Sequence, residues 1–230
     1  MVSKTYIVYM AAGNSRRFLE DKLHYVFHGK PLYQYGLDTL KEVIKQREAV
    51  EVLIVSNTIK VEEEAIHTIV SPQSKLGISY TIKTAIDYLK TKKDVKQVMF
   101  MVSDQPYVKA STLIKMITTL ENSNKTICSL KYQDRKGNPV LFDYKYLDEL
   151  ALLQADQGGR KIVKMHLDEC CYQEVEDERE LFDIDTKQDL QTAETTCKRI
   201  NTEILSDLVE EDFNDESGVH KILKVGGLKI

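Results

Sequence analysis

The chain has 230 residues, of which 42% are apolar and 30% charged, with a formal net charge of −4. That length suits one well-buried α/β domain rather than two, and the composition excludes a disordered chain. The weakly negative charge gives no ground for nonspecific binding to nucleic acid or an anionic membrane, and no apolar run approaches the roughly 18 residues that span a bilayer.

The first strand is predicted over Lys4 to Met10, with no signal-cleavage pattern around it. A helix is expected over Pro31 to Lys45, begun by proline in its first turn. Val50 to Ser56 reads as a strand buried on both faces, and Ala65 to Val70 as a further strand. Ile78, Ile82, Ala85, Ile86 and Leu89 recur at helical spacing within Gly77 to Leu89. Gln97 to Val102 is a buried strand, Ser111 to Leu120 a helix and Lys125 to Tyr132 a strand. Beyond these, Pro139 to Phe142, Cys171 to Glu176 and Glu180 to Asp183 read as strands. Tyr144 to Gln154, Gly159 to Leu167 and Thr186 to Ile200 read as helices. The alternation predicts an α/β fold, a Rossmann-like three-layer sandwich with a mostly parallel central sheet. The domain is expected over residues 1–200, followed by an acidic tail, residues 201–230, read as a solvated terminus.

The four cysteines, Cys128, Cys170, Cys171 and Cys197, form no CxxC pair and point to structural thiols in a cytoplasmic protein. His24 and His28 are four apart, but Leu23 to Phe27 alternates like a strand and no third ligand is near, so packing or solvent-facing roles are expected.

Ligands of open α/β sheets bind beyond the carboxyl ends of the strands. The loop after the first strand carries small residues, Ala11, Ala12, Gly13, Asn14 and Ser15, followed by the cations Arg16, Arg17 and Lys22. Backbone N–H groups that a ligand can approach closely, together with fixed cations, make an anion site. The loop matches neither GxGxxG nor GxxxxGK[ST], and an ordinary basic turn is the alternative reading. Ser103-Asp104-Gln105-Pro106 ends another buried strand, where a carboxylate is placed to hold Mg²⁺, or to cap a turn. Asp183 and Asp185 bracket Ile184 and offer further metal ligands; Asp185 or Thr186 would also serve as N-cap of the next helix. Arg160, in Asp156-Gln157-Gly158-Gly159-Arg160, is a candidate for an anionic substrate.

In collinear order, Met10 to Leu23, Gly29 to Leu32, Gly77 to Ser79, Asp104 to Pro106, Gly137 to Phe142, Asp156 to Arg160 and Asp183 to Thr186 resemble the MobA-like nucleotidyltransferases. Within them, Ala11-Ala12-Gly13 and Asp104-Gln105-Pro106 are most similar to the molybdenum cofactor cytidylyltransferases. The resemblance implies Mg²⁺-dependent transfer of CMP from CTP to the terminal phosphate of molybdopterin, giving molybdopterin cytosine dinucleotide and pyrophosphate. It implies catalytic roles for Arg17, Lys22 and Asp104, and a nucleotide site at Ala11, Ala12, Gly13, Asn14, Ser15, Arg17, Lys22, Ser79 and Asp104. Substrate would meet Gln105, Asn138 and Arg160, and the metal would meet Asp104, Asp183 and Asp185. CTP and molybdopterin are thus the expected partners, with docking to a molybdenum hydroxylase beside them. Other readings stay open: guanylyl transfer to molybdopterin, transfer to a sugar or alcohol phosphate, or a non-catalytic pterin-binding accessory protein. Leu19 stands where the family usually has glycine.

Overall fold

A computed structural model describes residues 2–13, 18 and 21–193. Residues to Asp189 form one compact unit. The remainder of the expected last helix, the 200/201 boundary, the acidic tail and Cys197 lie outside the described residues.

In chain order, β1 (Lys4–Ala11) leads to a short hairpin, β2 (Val26–Phe27) and β3 (Lys30–Pro31), and then α1 (Leu32–Gln46). Next come β4 (Val50–Ser56), β5 (Ile66–Ile69), α2 (Ile78–Leu89), β6 (Val95–Val102) and α3 (Ala110–Glu121). The second half holds β7 (Ile127–Tyr132), β8 (Arg135–Asp143), α4 (Leu147–Ala151), α5 (Arg160–Met165) and β9 (Cys170–Glu174). Seven strands form one sheet in the order β5-β4-β1-β6-β8-β7-β9. Only β8 runs antiparallel to its neighbours. Its direction follows from the tight connection out of β7, in which Gln133 takes a φ of 51°.

The pleat of β1 shows why this is a three-layer sandwich. Ile7, Tyr9 and Ala11 join Leu37, Leu40 and Val43 of α1 and Leu113, Met116 and Ile117 of α3 in one core. Tyr6, Val8 and Met10 join Ile82, Ala85, Ile86 and Leu89 of α2 with Leu147, Leu150 and Ile162 in the other. Both faces of β1 are buried, so its sequence is continuously apolar instead of alternating. Each fully buried Leu or Ile contributes about 1.5–3 kcal/mol to this arrangement.

Three sequence expectations are corrected. Glu180 to Asp183 is no strand: a 3₁₀ turn covers Glu178–Leu181, begun by the Asp177 carboxylate accepting from the Arg179 N–H. Glu180 is buried because its carboxylate accepts the Lys109 backbone N–H at 3.1 Å, just before α3, so it is tied to that helix start instead of a sheet ladder. The single helix expected over Tyr144 to Gln154 is a 3₁₀ turn, Tyr144–Tyr146, followed by the short α4. Leu23 to Phe27 is a 3₁₀ turn running into two strand residues, because His24 pairs with Asp21 at 2.8 Å and folds the segment back. No helix among the described residues is long and apolar enough to cross a membrane. Cys128, Cys170 and Cys171 are free thiols.

Candidate active site

β1 and β6 lie side by side and parallel, and the chain leaves β1 toward β4 on one side while β6 returns on the other. Their carboxyl ends therefore border a crevice at the sheet's switch point. Two buried serines seal its floor: Ser103 Oγ donates to the Met10 carbonyl at 2.9 Å and Ser56 Oγ to the Ala11 carbonyl at 3.1 Å. Above them is a cleft of about 430 Å³.

One end of the cleft gathers charge from three distant segments. Lys22, 8% exposed, donates from Nζ to Asp104 Oδ2 at 2.7 Å and to Asp185 Oδ1 at 3.2 Å. Desolvation pulls the Lys22 ammonium toward neutrality, but the charges of Asp104 and Asp185 outweigh it and its pKa is raised. Asp104 follows β6, and its carbonyl accepts the Ile184 N–H at 2.9 Å, which fastens the Asp183–Asp185 segment beside it. Asp185 is free to face Lys22 because Thr186 takes the cap. The Thr186 N–H and Oγ1 donate to Asp189 Oδ2, and the Asp189 N–H donates back to Thr186 Oγ1 at 3.1 Å, a reciprocal cap over the helix seen at 187–193.

Asp183 lies in the same recess with one side open to solvent. Its carboxyl is pushed up to about 6, first by desolvation on its packed side and then by the negative charges of Asp104 and Asp185. A donated hydrogen bond from Gln105 and the charge of Arg160 pull the other way. Because the folded value lies above the ordinary 3.8, the favourable contribution of protonated Asp183 is present below about pH 4 and is lost as pH rises through 6. Asp183→Asn should therefore raise the thermal midpoint near pH 7.5 by about 1–3 °C and leave it unchanged near pH 3, below both pKa values. The effect stays below about 1 kcal/mol because solvent screens the open side. Equal shifts at both pH values in a melting series would contradict this.

Among the described residues, three carboxylates at this end face Lys22 and Arg160. Asp104 Oδ1 is also buried with no hydrogen-bond partner among the described residues. No three His, Cys, Asp or Glu side chains among those residues converge as a complete metal cage. An orphaned carboxylate oxygen with two further carboxylates close by fits a hard dication that takes one or two carboxylates and draws its other oxygens from water and phosphate. Gly13 lines the cleft, and an added Cβ there would meet nothing within 4 Å among the described residues.

The other end is built on the start of α2. Ser74, Gly77, Ile78, Thr81 and Asp156 line it. Gly77 takes a φ of 136°, and a Cβ there would fall on the Ala155 carbonyl. Gly77→Ala should thus cost about 2–4 kcal/mol and lower the melting temperature by roughly 5–10 °C, visible in a thermal melt. Of the residues singled out in the sequence, Gly13, Lys22, Asp104 and Asp185 meet in the cleft. Ala11 and Ala12 are buried at the end of β1, and Ser79 is buried in the first turn of α2. Gln105 is buried beneath the site as a donor to Asp183. Arg160 donates to the Lys136 carbonyl at 3.0 Å while its charge reaches Asp183, and Asn138 lies in β8 before a cis proline. Asn14, Ser15, Arg16, Arg17 and Leu19 lie outside the described residues. Sequence reasoning missed Ser74, Thr81 and Asp156; the helical spacing of Gly77, Ile78 and Thr81 was the signal for one wall.

A mostly parallel sheet with cations and carboxylates at its switch point defines an α/β protein of the nucleotide-binding kind. The chain belongs to the MobA-like NTP transferase domain family, whose model matches residues 7–170. It is 26% identical over 192 residues to a protein named probable molybdenum cofactor guanylyltransferase from Thermococcus sibiricus, covering 80% of this chain and 94% of that one. Among solved structures, Rv0371c from Mycobacterium tuberculosis H37Rv matches with a TM-score of 0.68 at 20% identity, covering 84% of this chain and 97% of that one. A structure of the same protein in complex with manganese matches with a TM-score of 0.57 at 18% identity, covering 76% of this chain and 89% of that one. These two likenesses are of fold.

Proposed function

We propose that the chain transfers CMP from CTP to the terminal phosphate of molybdopterin, releasing pyrophosphate. The carrying observation is the Lys22–Asp104–Asp185 cluster at the switch-point cleft of a MobA-like NTP transferase domain. Molybdopterin as acceptor is supported by the relative named as a molybdenum cofactor guanylyltransferase. CTP is supported by Ala11-Ala12-Gly13 and Asp104-Gln105-Pro106, which resemble the cytidylyl branch. The guanylyl name of that relative favours a second reading, GMP transfer from GTP.

The attacking phosphate oxygen is already anionic near neutral pH, so no strong general base is needed. What must be supplied is positioning of two polyanions and stabilisation of charge passing to pyrophosphate. Lys22 offers a buried cation to the triphosphate, and the lack of a side chain at Gly13 lets phosphate oxygens approach the backbone. Asp104, with Asp185 or Asp183, would hold Mg²⁺, whose charge lowers the electrostatic cost of attack on the α-phosphate. Gln105 and Arg160 orient and balance Asp183. The cofactor so made would serve a molybdenum hydroxylase, to which docking is part of the same reading.

The test is pyrophosphate release from molybdopterin with each of the four NTPs in the presence of Mg²⁺. CTP should support release at least tenfold faster than the others. Faster release with GTP establishes the second reading, and pterin binding without release from any NTP replaces both with an accessory role.

A further inference from the structure

The proposed chemistry leaves the second end of the cleft without a task. There the turn at Ala155–Asp156 sits on the first turn of α2. Ala155 holds a φ of 50°, a region that a non-glycine residue keeps only when its surroundings enforce it. The enforcing contacts are visible. The Ala155 carbonyl accepts the Ser79 N–H at 3.1 Å, and Gly77 packs against that carbonyl so closely that no side chain fits between them. The backbone is held in an unusual shape, and its effect is to deliver Asp156 to the cleft wall.

Asp156 is exposed, and no hydrogen bond or ion pair engages its carboxylate among the described residues. An ionised carboxylate only accepts hydrogen bonds. It repels phosphate, so its complement is the uncharged, hydrogen-bond-donating part of a substrate whose phosphates lie toward Lys22. Ile78 adds an apolar surface for a ring face and Thr81 a hydroxyl beside it.

We propose that Asp156 is a specificity residue that accepts a hydrogen bond from the exocyclic amino group of a flat heteroaromatic ring in this cleft. The inference rests on the nucleotidyl-transfer reading and states how that site selects its substrate. Two substrates share the chemistry. Cytosine carries an amino group at N4, the group carboxylates accept from in nucleic-acid recognition, and the pterin carries an amino group beside a ring N–H. Uracil places a carbonyl oxygen where cytosine has the amine, and that oxygen would face the carboxylate.

The experiment compares the full chain with Asp156→Ala and Asp156→Asn by titration calorimetry, using CTP, UTP and molybdopterin in separate arms, together with steady-state kinetics. Asp156→Ala should weaken binding of CTP or of molybdopterin about ten- to hundredfold, the loss expected for a charge-assisted hydrogen bond. UTP binding should not weaken, and kcat at saturation should stay within about twofold. The arm that responds identifies the ring. If it is CTP, Asp156→Asn should also narrow the preference for CTP over UTP, because the amide can donate to the uracil oxygen. Unchanged affinity for both CTP and molybdopterin in Asp156→Ala overturns the proposal while leaving transfer by the wild type standing. Absence of pyrophosphate release from the wild type overturns the transfer reading, while the calorimetric arms still judge Asp156. Should Asp156→Ala fail to melt cooperatively, Asp156→Asn removes only the charge, so affinity for the same ring should fall by a smaller factor of about three- to tenfold, and unchanged affinity would equally overturn the proposal.

Discussion

Asp104→Ala is expected to lower kcat/KM for nucleotidyl transfer by at least about a thousandfold while the thermal midpoint moves by only a few degrees. The two halves of this expectation come from different atoms. The carboxylate carries the chemistry: Oδ2 fixes Lys22 at 2.7 Å, and buried Oδ1 is left as an unfilled acceptor facing the site. The structural work is done by the backbone, whose carbonyl still accepts the Ile184 N–H at 2.9 Å in the alanine variant. Removing the side chain also relieves repulsion on Asp183, which offsets part of the loss of the Lys22 pair. Circular dichroism and a melting curve give the structural half, and pyrophosphate release gives the catalytic half. Turnover within tenfold of wild type would sink the assignment of Asp104 to the reacting end.

Lys22→Ala should weaken CTP binding by at least about tenfold and, unlike Asp104→Ala, should also destabilise the fold appreciably. The ammonium is the one cation hydrogen-bonded to both Asp104 and Asp185 among the described residues. Its loss leaves Asp104 without the ammonium it accepts from, with Asp183 and Asp185 close by and, among the described residues, the charge of Arg160 reaching Asp183. Leaving the partly buried Asp104 carboxylate without this donor costs about 1–3 kcal/mol, while the Asp185 contact adds little because 45% of its side chain is exposed and solvent screens it. Raised as it is, the Lys22 pKa keeps its stabilisation fully present at neutral pH and loses it only as pH climbs through that folded value. In the alanine variant the carboxylates repel one another at pH 8 and shed that repulsion by taking up protons, beginning with Asp183 near pH 6. The stability gap between variant and wild type should therefore shrink from pH 8 to pH 5. A pH-independent gap in denaturant titrations, or undiminished CTP affinity, would show that Lys22 does not neutralise this site.

Different parts of the molecule were legible in the sequence to different degrees. The central strands β1, β4 and β6 are nearly all there, because a strand covered on both faces must be apolar throughout; Val50 to Ser56 is observed with the bounds expected for it. The 3₁₀ turn at Glu178–Leu181 is not legible in the sequence because Glu180, an acid with no place in a buried strand, is buried against the Lys109 N–H just before α3, a partner 71 residues away. Tyr144 to Gln154 has helical spacing, but a run of local i→i+3 bonds at its start shortens the helix, and spacing does not report that.

The cleft divides in the same way. Lys22, Asp104 and Asp185 could be named from their segments, since small residues and charges after buried strands mark ligand ends by the geometry of α/β sheets. That Asp185 faces the lysine and Thr186 caps the helix was undecided in the sequence, because either residue type can cap; the reciprocal bonds with Asp189 decide it. Gln105 could only be read as polar and near the site, while the structure buries it as support for Asp183.

What the sequence alone determined is the layered α/β fold and the segments that carry charge to one edge of the sheet, because both follow from local apolar patterning and chain order. What only the tertiary structure decided is which charges meet, how Asp183 titrates, and that Ala155 and Gly77 together present Asp156 to the cleft. Those are consequences of side chains separated by tens of residues being held within a few ångströms, and no periodicity within either segment encodes that distance.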